Sequence, residues 1–222
     1  MAGKRSYGDA CGIARALDVV GERWALMVVR ELLLGPKRFT DMRTGLPHVS
    51  PDVLAQRLRD LEQAGIVEHH RLPPPYASQV YELTARGRAL EPVLIELGRW
   101  GGANAPEPSD DMCMSLDAYI VSLRTLFDPQ RAGDFSARVS LRLGEERFRV
   151  VIADGQLDAG RGELADADAV VEAEDPTTLI EVLHGHRPLA AALETGALRF
   201  SGDKRKAKRF TQLFPLPVPA AA

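Results

Sequence analysis

The amino-acid sequence predicts an α+β protein of two domains, and three observations support that prediction. Apolar residues in the first half recur at helical spacing, with one hairpin pattern near its end. In the second half they alternate at strand spacing before further helices begin. A stretch rich in Gly, Pro and Asp, GGANAPEPSDD (101–111), separates the halves and has no periodicity that could pack. No internal repeat relates the halves, so two different modules are expected.

The domain boundaries follow from that stretch. We predict a first domain over residues 1–102, a linker over 103–111, a second domain over 112–217 and a tail over 218–222. The first 101 residues contain 14 Lys+Arg and 12 Asp+Glu, whereas the remainder contains 14 and 19. A polyanion would therefore meet less repulsion at the first half.

Several classes of protein are disfavoured by the composition. No apolar run approaches the ~18 residues that cross a bilayer, and the start of the chain lacks a signal-peptide pattern, so a cytoplasmic protein is expected. The two cysteines, Cys11 and Cys113, form neither a disulfide framework nor a zinc pattern. Adjacent His69 and His70 point to opposite faces of a strand and cannot easily share a metal. We expect no cofactor and no metal. Without a catalytic fingerprint, we also expect no enzyme activity.

The first half reads as four helices, a hairpin and a last helix. Gly21 separates the first two helices, Gly35-Pro36 ends the second, and a short third helix covers about 39–44. The fourth helix has Ser50 as its N-cap and Pro51 at its first position, where no N–H is needed. Strand patterns at 66–72 and 78–84 flank a stiff proline-rich loop, and Pro92 should kink the helix that follows. This order is the layout of a winged helix-turn-helix.

The second half reads as a sheet with helices on one of its faces. A helix over 116–127 precedes strand patterns at 134–143 and 146–154, which a tight turn joins. A third strand at 168–174, two helical segments, a strand at 197–203 and a final helix follow. Hairpins followed by helices predict an antiparallel sheet covered by helices. The basic run KRKAKR (204–209) is interpreted as the solvated face of that final helix.

The helix after Ser50 has a composition suited to reading DNA. Leu54, Leu58 and Leu61 share one stripe that would face the core, and polar residues occupy the other side. Such a helix can enter the major groove, where Arg recognises guanine and Gln recognises adenine. The alternative is an amphipathic core helix with a solvated charged face. The hairpin directly after it favours DNA binding.

Residues 11–101 closely resemble the HxlR group of MarR-like winged-helix transcription regulators. The matching stretches are CGIARALDVVGERWALMVVRELLLGPKRFTDM, LPHVSPDVLAQRLRDLEQAGIVEHH and VYELTARGRAL. The resemblance implies a homodimer, formed by the first and last helices of the domain, on a pseudo-palindromic operator. It also implies that the loop at 72–78 is a wing that reaches the DNA backbone or the minor groove. The implied base-side candidates are Ser50, Pro51, Val53, Gln56 and Arg57, and the phosphate candidates are Arg38, Thr40 and Arg71.

Cys11 lies just before the first helix and is a candidate redox switch. Some members of the resembled family respond to oxidants or electrophiles through a cysteine at the matching position. A thiol near a helix N-terminus can have a lowered pKa and become reactive. The alternative is that Cys11 is a small core residue.

The second half resembles a sterol-carrier-protein-like domain, most clearly over DAVVEAEDPTTLIEVLHGHRPLAAALETGALRFSGDKRKAKRFTQLF. The resemblance implies an apolar tunnel that holds fatty-acyl or sterol-like ligands. The alternative is that the same side chains fill a closed core. The implied lining residues are Leu123, Phe127, Val139, Leu141, Phe148, Val150, Leu179, Leu183, Leu198 and Phe200.

Together these patterns predict a transcription regulator that binds operator DNA as a homodimer and responds to an apolar small ligand. Double-stranded DNA, a second copy of the chain and that ligand are its expected partners, without insertion into a membrane. The alternative is a lipid or acyl-group carrier that uses the winged helix only for dimerisation.

Overall fold

The computed structural model of the chain describes residues 6–75, 77–103 and 114–216. Cys113, the predicted tail, and the predicted linker apart from Ala103 lie outside the described residues. The chain forms two compact units. The described part of the first comprises residues 6–75, 77–94 and 114–118, and that of the second comprises 95–103 and 119–216.

The first unit contains the helices and the hairpin that the sequence predicts. Helices α6 and α7 each cross the division between the units, so the unit boundary lies inside helices. The elements in chain order are α1 (Gly12–Val20), α2 (Ala25–Leu32), α3 (Phe39–Gly45), α4 (Pro51–Gln63), β1 (Val67–Arg71), β2 (Gln79–Leu83), α5 (Ala85–Arg88), α6 (Glu91–Gly102) and α7 (Leu116–Leu126).

The predicted last helix of this domain is two helices, α5 and α6. Thr84 begins α5 by accepting a hydrogen bond from the Gly87 amide at 3.1 Å. Pro92 then lies in the first turn of α6, where its missing N–H costs nothing. The predicted kink is therefore a complete break, because proline is tolerated at the start of a helix and not in its interior.

The core of the first unit is built from the apolar stripes of its helices and the hairpin. Leu54, Leu58 and Leu61 of α4 are buried in one cluster with Val28 and Val29 of α2. Ile66 and Leu83, at the base of the hairpin, join the same cluster. This packing fixes which side of α4 faces inward.

A buried group of charges lies beside that core. Glu31 has no exposed surface, and Lys37 Nζ lies 2.7 Å from Glu31 Oε2 and 2.7 Å from Asp117 Oδ2. Ser115 Oγ donates to Glu31 Oε1 at 2.8 Å. A Cβ on Gly45 would lie 2.3 Å from Glu31 Oε2, so a larger residue there would have to displace the Glu31 carboxylate from its partners. The group ties α2, the segment before α3 and the start of α7 together within the first unit.

The second unit has a five-stranded sheet in the order β5-β4-β3-β6-β7. Helices contact the sheet, with α9 against β6, α10 against β7, and α11 against β3, β6 and β7. The remaining elements are α8 (Pro129–Ala132), β3 (Ala137–Leu143), β4 (Glu146–Ala153), β5 (Gln156–Arg161), β6 (Ala169–Ala173), α9 (Pro176–Leu183), α10 (Leu189–Glu194), β7 (Leu198–Gly202) and α11 (Lys204–Phe210).

The expectation of a purely antiparallel sheet is wrong, because β3 and β6 pair in parallel. Residues 162–168 connect β5, at one edge, to β6, on the far side of β3. Within this connection the Leu164 amide donates to Ser140 Oγ at 3.1 Å, and the Asp168 amide donates to the Arg138 carbonyl at 2.8 Å. The connection thus follows β3 and returns the chain to the end at which β3 begins, which makes β6 parallel to it.

Strand β5 was not expected from the sequence. Its residues, QLDAGR, include Gly and Asp and few apolar side chains, so they show no alternating apolar pattern. Such a composition suits an edge strand, in which only Ala159 and Gly160 are buried. A signal was nevertheless present. Asp154-Gly155 has φ values of 52° and 68°, and Asp-Gly is a favoured two-residue turn between antiparallel strands.

Candidate nucleic-acid interface

Helix α4 presents its N-terminus and one polar face to solvent. Ser50 has the extended backbone of an N-cap, and its Oγ accepts from the Val53 amide at 3.4 Å. Pro51 occupies the first helical position, as predicted. Ser50, Pro51 and Val53 are exposed, with Val53 at 40%. These three base-side candidates therefore lie at an accessible helix start.

The outward face of α4 also carries a polar network. Gln56 is exposed, and its Nε2 donates to Asp60 Oδ1 at 2.8 Å. Arg59 is exposed as well, and its Nη2 donates to Gln56 Oε1 at 2.7 Å. A guanidinium and an amide are thus held side by side, in reach of solvent. This is the side-chain pair that the major groove can bind bidentately.

Arg57 differs from the other base-side candidates. Its side chain is only 16% exposed and pairs with Glu22 Oε2 at 3.3 Å and Asp60 Oδ2 at 3.1 Å. Arg57 directly precedes Leu58 of the inward stripe, and its guanidinium therefore lies against the body of the first unit. Sequence reasoning did not select Arg59, although counting from Leu54 at 100° per residue places Arg59 further from the inward stripe than Arg57.

The three phosphate candidates are exposed and come from two elements. Arg38 is the N-cap residue of α3, where its amide donates to Asp41 Oδ2 at 3.2 Å. Thr40 lies in the first turn of that helix. Arg71 ends β1, and its Nε donates to the Ala77 carbonyl at 3.0 Å across the base of the wing loop. Arg38 and Thr40 are therefore near a helix start, and Arg71 is on the wing.

The wing hairpin has a register that fixes its two faces. Val67 pairs with Leu83, His69 with Tyr81, and Arg71 with Gln79, so these residues share one face. The rings of His69 and Tyr81 stack with centroids 4.3 Å apart. Tyr81 also exchanges backbone hydrogen bonds with Lys37, which attaches the hairpin to the segment before α3.

Cys11 is the N-cap of α1, and its thiol is exposed and free. Its Sγ accepts from the Ile13 amide at 3.3 Å. Hydrogen bonds from the backbone amides of Ala14 and Ile13 lower the pKa of the Cys11 thiol, because they stabilise its thiolate. Its exposure contradicts the alternative of a small core residue.

The ten predicted ligand-lining residues all belong to the second unit. All except Phe200 are buried, and seven have no exposed surface. Those seven therefore touch no space that admits a water molecule in this conformation. Two open pockets in this unit, of about 370 and 290 Å³, are lined by other residues. The seven are Leu123, Val139, Leu141, Phe148, Val150, Leu179 and Leu198.

The chain matches known proteins over its first half. Residues 19–109 match the family described as HxlR-like helix-turn-helix. The transcriptional regulator YodB of Bacillus subtilis is 38% identical over 98 residues, which cover 44% of this chain and 87% of YodB. The regulator YvaP of the same organism is 37% identical over 86 residues, covering 39% and 80%. The solved structure of quinone-bound YodB is 35% identical, covers 40% of this chain and 93% of that one, and has a TM-score of 0.36.

A short helix, α3, an exposed and N-capped helix, α4, and a β-hairpin follow one another in the first unit. This is the arrangement of a winged helix-turn-helix, which is typical of DNA-binding transcriptional regulators. The chain belongs to the HxlR-like helix-turn-helix family. Its relatives are transcriptional regulators, which confirms the expectation that the chain is not an enzyme. Among the described helices, none is both long and apolar enough to cross a bilayer.

Proposed function

We propose that the chain binds a pseudo-palindromic operator as a homodimer, with α4 in the major groove and the wing against the backbone. The observation that carries this proposal is the outward face of α4. There Gln56 and Arg59 are exposed, bonded to each other, and next to a helix start that favours a phosphate. Arg38, Thr40 and Arg71 supply backbone contacts in this proposal.

The proposed dimer is supported by apolar side chains that face solvent. On α1, Ile13 is 73% exposed and Leu17, one turn further, is also exposed. On α6, Val93, Leu97 and Trp100 recur at helical spacing and are all exposed, with Trp100 at 77%. Exposed apolar stripes of this kind mark interaction surfaces. A second copy would cover them and place two copies of α4 on one duplex.

DNA binding is testable by fluorescence anisotropy on genomic fragments from around the chain's own gene, with a scrambled duplex as competitor. We expect specific binding whose affinity falls with salt by a log–log slope of about −0.9 for each neutralised phosphate. Gln56→Ala should lose about 1–3 kcal/mol of discrimination at the adenine it reads. Glu62→Ala, on the exposed C-terminal part of the same helix, is the control. A salt-independent affinity, or equal losses in both variants, would exclude the proposed reading face.

We further propose that Cys11 makes DNA binding sensitive to electrophiles. The exposed thiol has a lowered pKa, and its thiolate can add to an alkene such as N-ethylmaleimide: a C–S bond forms, the C=C π bond breaks, and the resulting carbanion takes a proton from water. Treatment should change operator affinity in the wild type and in Cys113→Ser, and not in Cys11→Ser. An unchanged response in Cys11→Ser would place the reactive group elsewhere.

For the second unit we propose a sterol-carrier-like domain that takes up an apolar ligand and thereby biases DNA binding. Support comes from the resemblance and from the strand register, which pairs Val139 with Val150 and Leu141 with Phe148 on one face of the sheet. Seven of them are fully enclosed, so the ligand must open this core rather than enter an existing space. Native mass spectrometry of freshly purified protein tests this directly, because a co-purifying lipid would appear as added mass. Fatty acids and sterols that neither bind nor shift the melting temperature would contradict it.

A further inference from the structure

The face of the wing hairpin opposite the His69–Tyr81 stack brings three potential metal ligands together. Glu68 on β1 lies directly across from Glu82 on β2, and His70 follows Glu68 by two residues on the same face. One donor atom from each of the three side chains lies within 4.8 Å of the other two. Glu68 is exposed, and His70 and Glu82 are partly exposed, so an ion could reach all three from solvent.

The electrostatics of this cluster favour a cation. Two carboxylates directly opposite each other on paired strands destabilise a hairpin. The observed neutralisation is partial. Arg88 Nη1 lies 3.2 Å from Glu82 Oε1 and supplies a positive charge, whereas His70 Nε2, 3.6 Å from Glu82 Oε2, supplies one only in its protonated form. Among the described residues no salt bridge to Glu68 is seen. A bound divalent ion would offset the charge of both carboxylates at once.

We propose that Glu68, His70 and Glu82 bind one Zn²⁺ ion across the two strands of the wing. One imidazole and two carboxylates are ligands that zinc accepts, and the imidazole disfavours Mg²⁺ and Ca²⁺, which take oxygen ligands. Bond lengths of about 2.1 Å in a tetrahedral site require donor atoms about 3.4 Å apart. Rotation of the three solvent-accessible side chains closes the remaining gap, and water completes the coordination. Arg88 then leaves Glu82, because the cation replaces it.

This site is distinct from a metal site on the adjacent His69 and His70, which their alternation along the strand disfavours. Adjacent His69 and His70 do point to opposite faces of the hairpin, and the His69 ring stacks on the Tyr81 ring. The additional donors come from carboxylates whose proximity depends on the strand register. Zinc binding at this site requires neither of the two cysteines and does not require DNA, so it is independent of the proposed operator binding.

The test is calorimetric titration of Zn²⁺ into the full chain carrying Cys11→Ser and Cys113→Ser, so that thiolates cannot bind the ion. We expect one ion per chain. His70→Asn and Glu82→Gln should each weaken binding by about tenfold or more, since each removes one of three donors. His69→Asn, one residue away and on the other face, should bind as tightly as the parent. Arg88→Gln should bind more tightly, because it removes the cation that competes for Glu82.

Far-ultraviolet circular dichroism establishes that each variant is folded before titration. Titration with Co²⁺, whose visible spectrum reports its ligands, should give a nitrogen- and oxygen-ligated spectrum that His70→Asn alters and His69→Asn does not. Three results would overturn the assignment: no saturable binding in the parent, unweakened binding in folded His70→Asn or Glu82→Gln, or equal losses in His69→Asn and His70→Asn.

Discussion

The two units of this protein use charged residues differently. The first unit combines a buried group of charges around Glu31 with exposed charges, among them Arg59 on the outward face of α4. In the second unit ion pairs lie along exposed parts of the sheet and its connections. Arg138 with Asp166 and Arg142 with Glu163, both at 2.8 Å, are examples, and all four side chains are more than a third exposed.

That difference separates charges that stabilise from charges that are available to a partner. Exposed ion pairs contribute about 0–1 kcal/mol, so the second unit gains most of its stability from its apolar core. An enclosed charge whose partner is removed destabilises strongly. An outward polar pair contributes little to folding, but it can exchange its internal hydrogen bonds for bonds to a nucleic acid.

The largest effect is expected at Lys37. Lys37→Met removes the ammonium that the buried carboxylates of Glu31 and Asp117 share, and leaves Glu31 paired with the Arg30 guanidinium, 2.8 Å from its Oε1. We expect the free energy of unfolding to fall by about 3–5 kcal/mol, measured by urea denaturation. Arg142→Met, which breaks an exposed pair in the second unit, should change it by no more than about 0.5 kcal/mol. Similar losses in the two variants would break the comparison.

The next effect concerns two arginines of α4, of which the sequence led us to expect base contacts from Arg57 and not from Arg59. Arg59→Ala should cost about 1–3 kcal/mol of specific DNA binding, because its guanidinium lies on the outward face. Arg57→Ala should instead lower stability and leave specificity nearly unchanged, since its partners are Glu22 and Asp60. Anisotropy and urea denaturation on the same preparations separate the two effects. If Arg57→Ala lost specific DNA binding and Arg59→Ala did not, the result would show that Arg57 swings outward on DNA.

These arginines illustrate how far the sequence could lead. Ser50, Pro51 and Thr84 act locally, so the starts of α4 and α5 were predictable from residue type. Helical spacing already places Arg57 nearer the inward stripe than Arg59, but its ion pair with Glu22, which is distant in sequence, could not be predicted from spacing. The parallel pairing of β6 with β3 also depends on contacts between residues distant in sequence. Ser140 and Arg138 of β3 accept hydrogen bonds from the segment that connects β5 to β6, and no local sequence pattern predicts those bonds.

A smaller effect is expected at Asp168, one of the less exposed carboxylates of the second unit. The Arg138 amide, which donates at 2.7 Å, and the Lys206 ammonium, at 3.0 Å, lower the pKa of Asp168. Its ionised form therefore stabilises the folded state above the ordinary carboxyl pKa of about 3.9, and that contribution is lost as pH falls through the lowered folded value.

Asp168→Asn should reduce the free energy of unfolding by about 1 kcal/mol at pH 7. It should also flatten the loss of stability on acidification below about pH 4. Exposed Asp134→Asn is the control. A wild-type pH profile in Asp168→Asn would show that other carboxylates govern acid stability in this unit.

The smallest effect is expected at Cys11, where charge develops only when the thiol ionises. The amides of Ala14 and Ile13 lower its pKa, so its alkylation rate should reach half its maximum at a lower pH than that of an unperturbed thiol, near 8.5. The measurement is iodoacetamide labelling of Cys113→Ser across pH 6–10, with reduced glutathione as the reference thiol. Unfolding in urea should return the midpoint to the reference value, because the helix start that supplies the amides is lost. An unchanged midpoint on unfolding would mean that the N-cap geometry does not activate this cysteine. Cys11 would then not count, with the outward residues of α4, among the groups that the fold makes available to a partner.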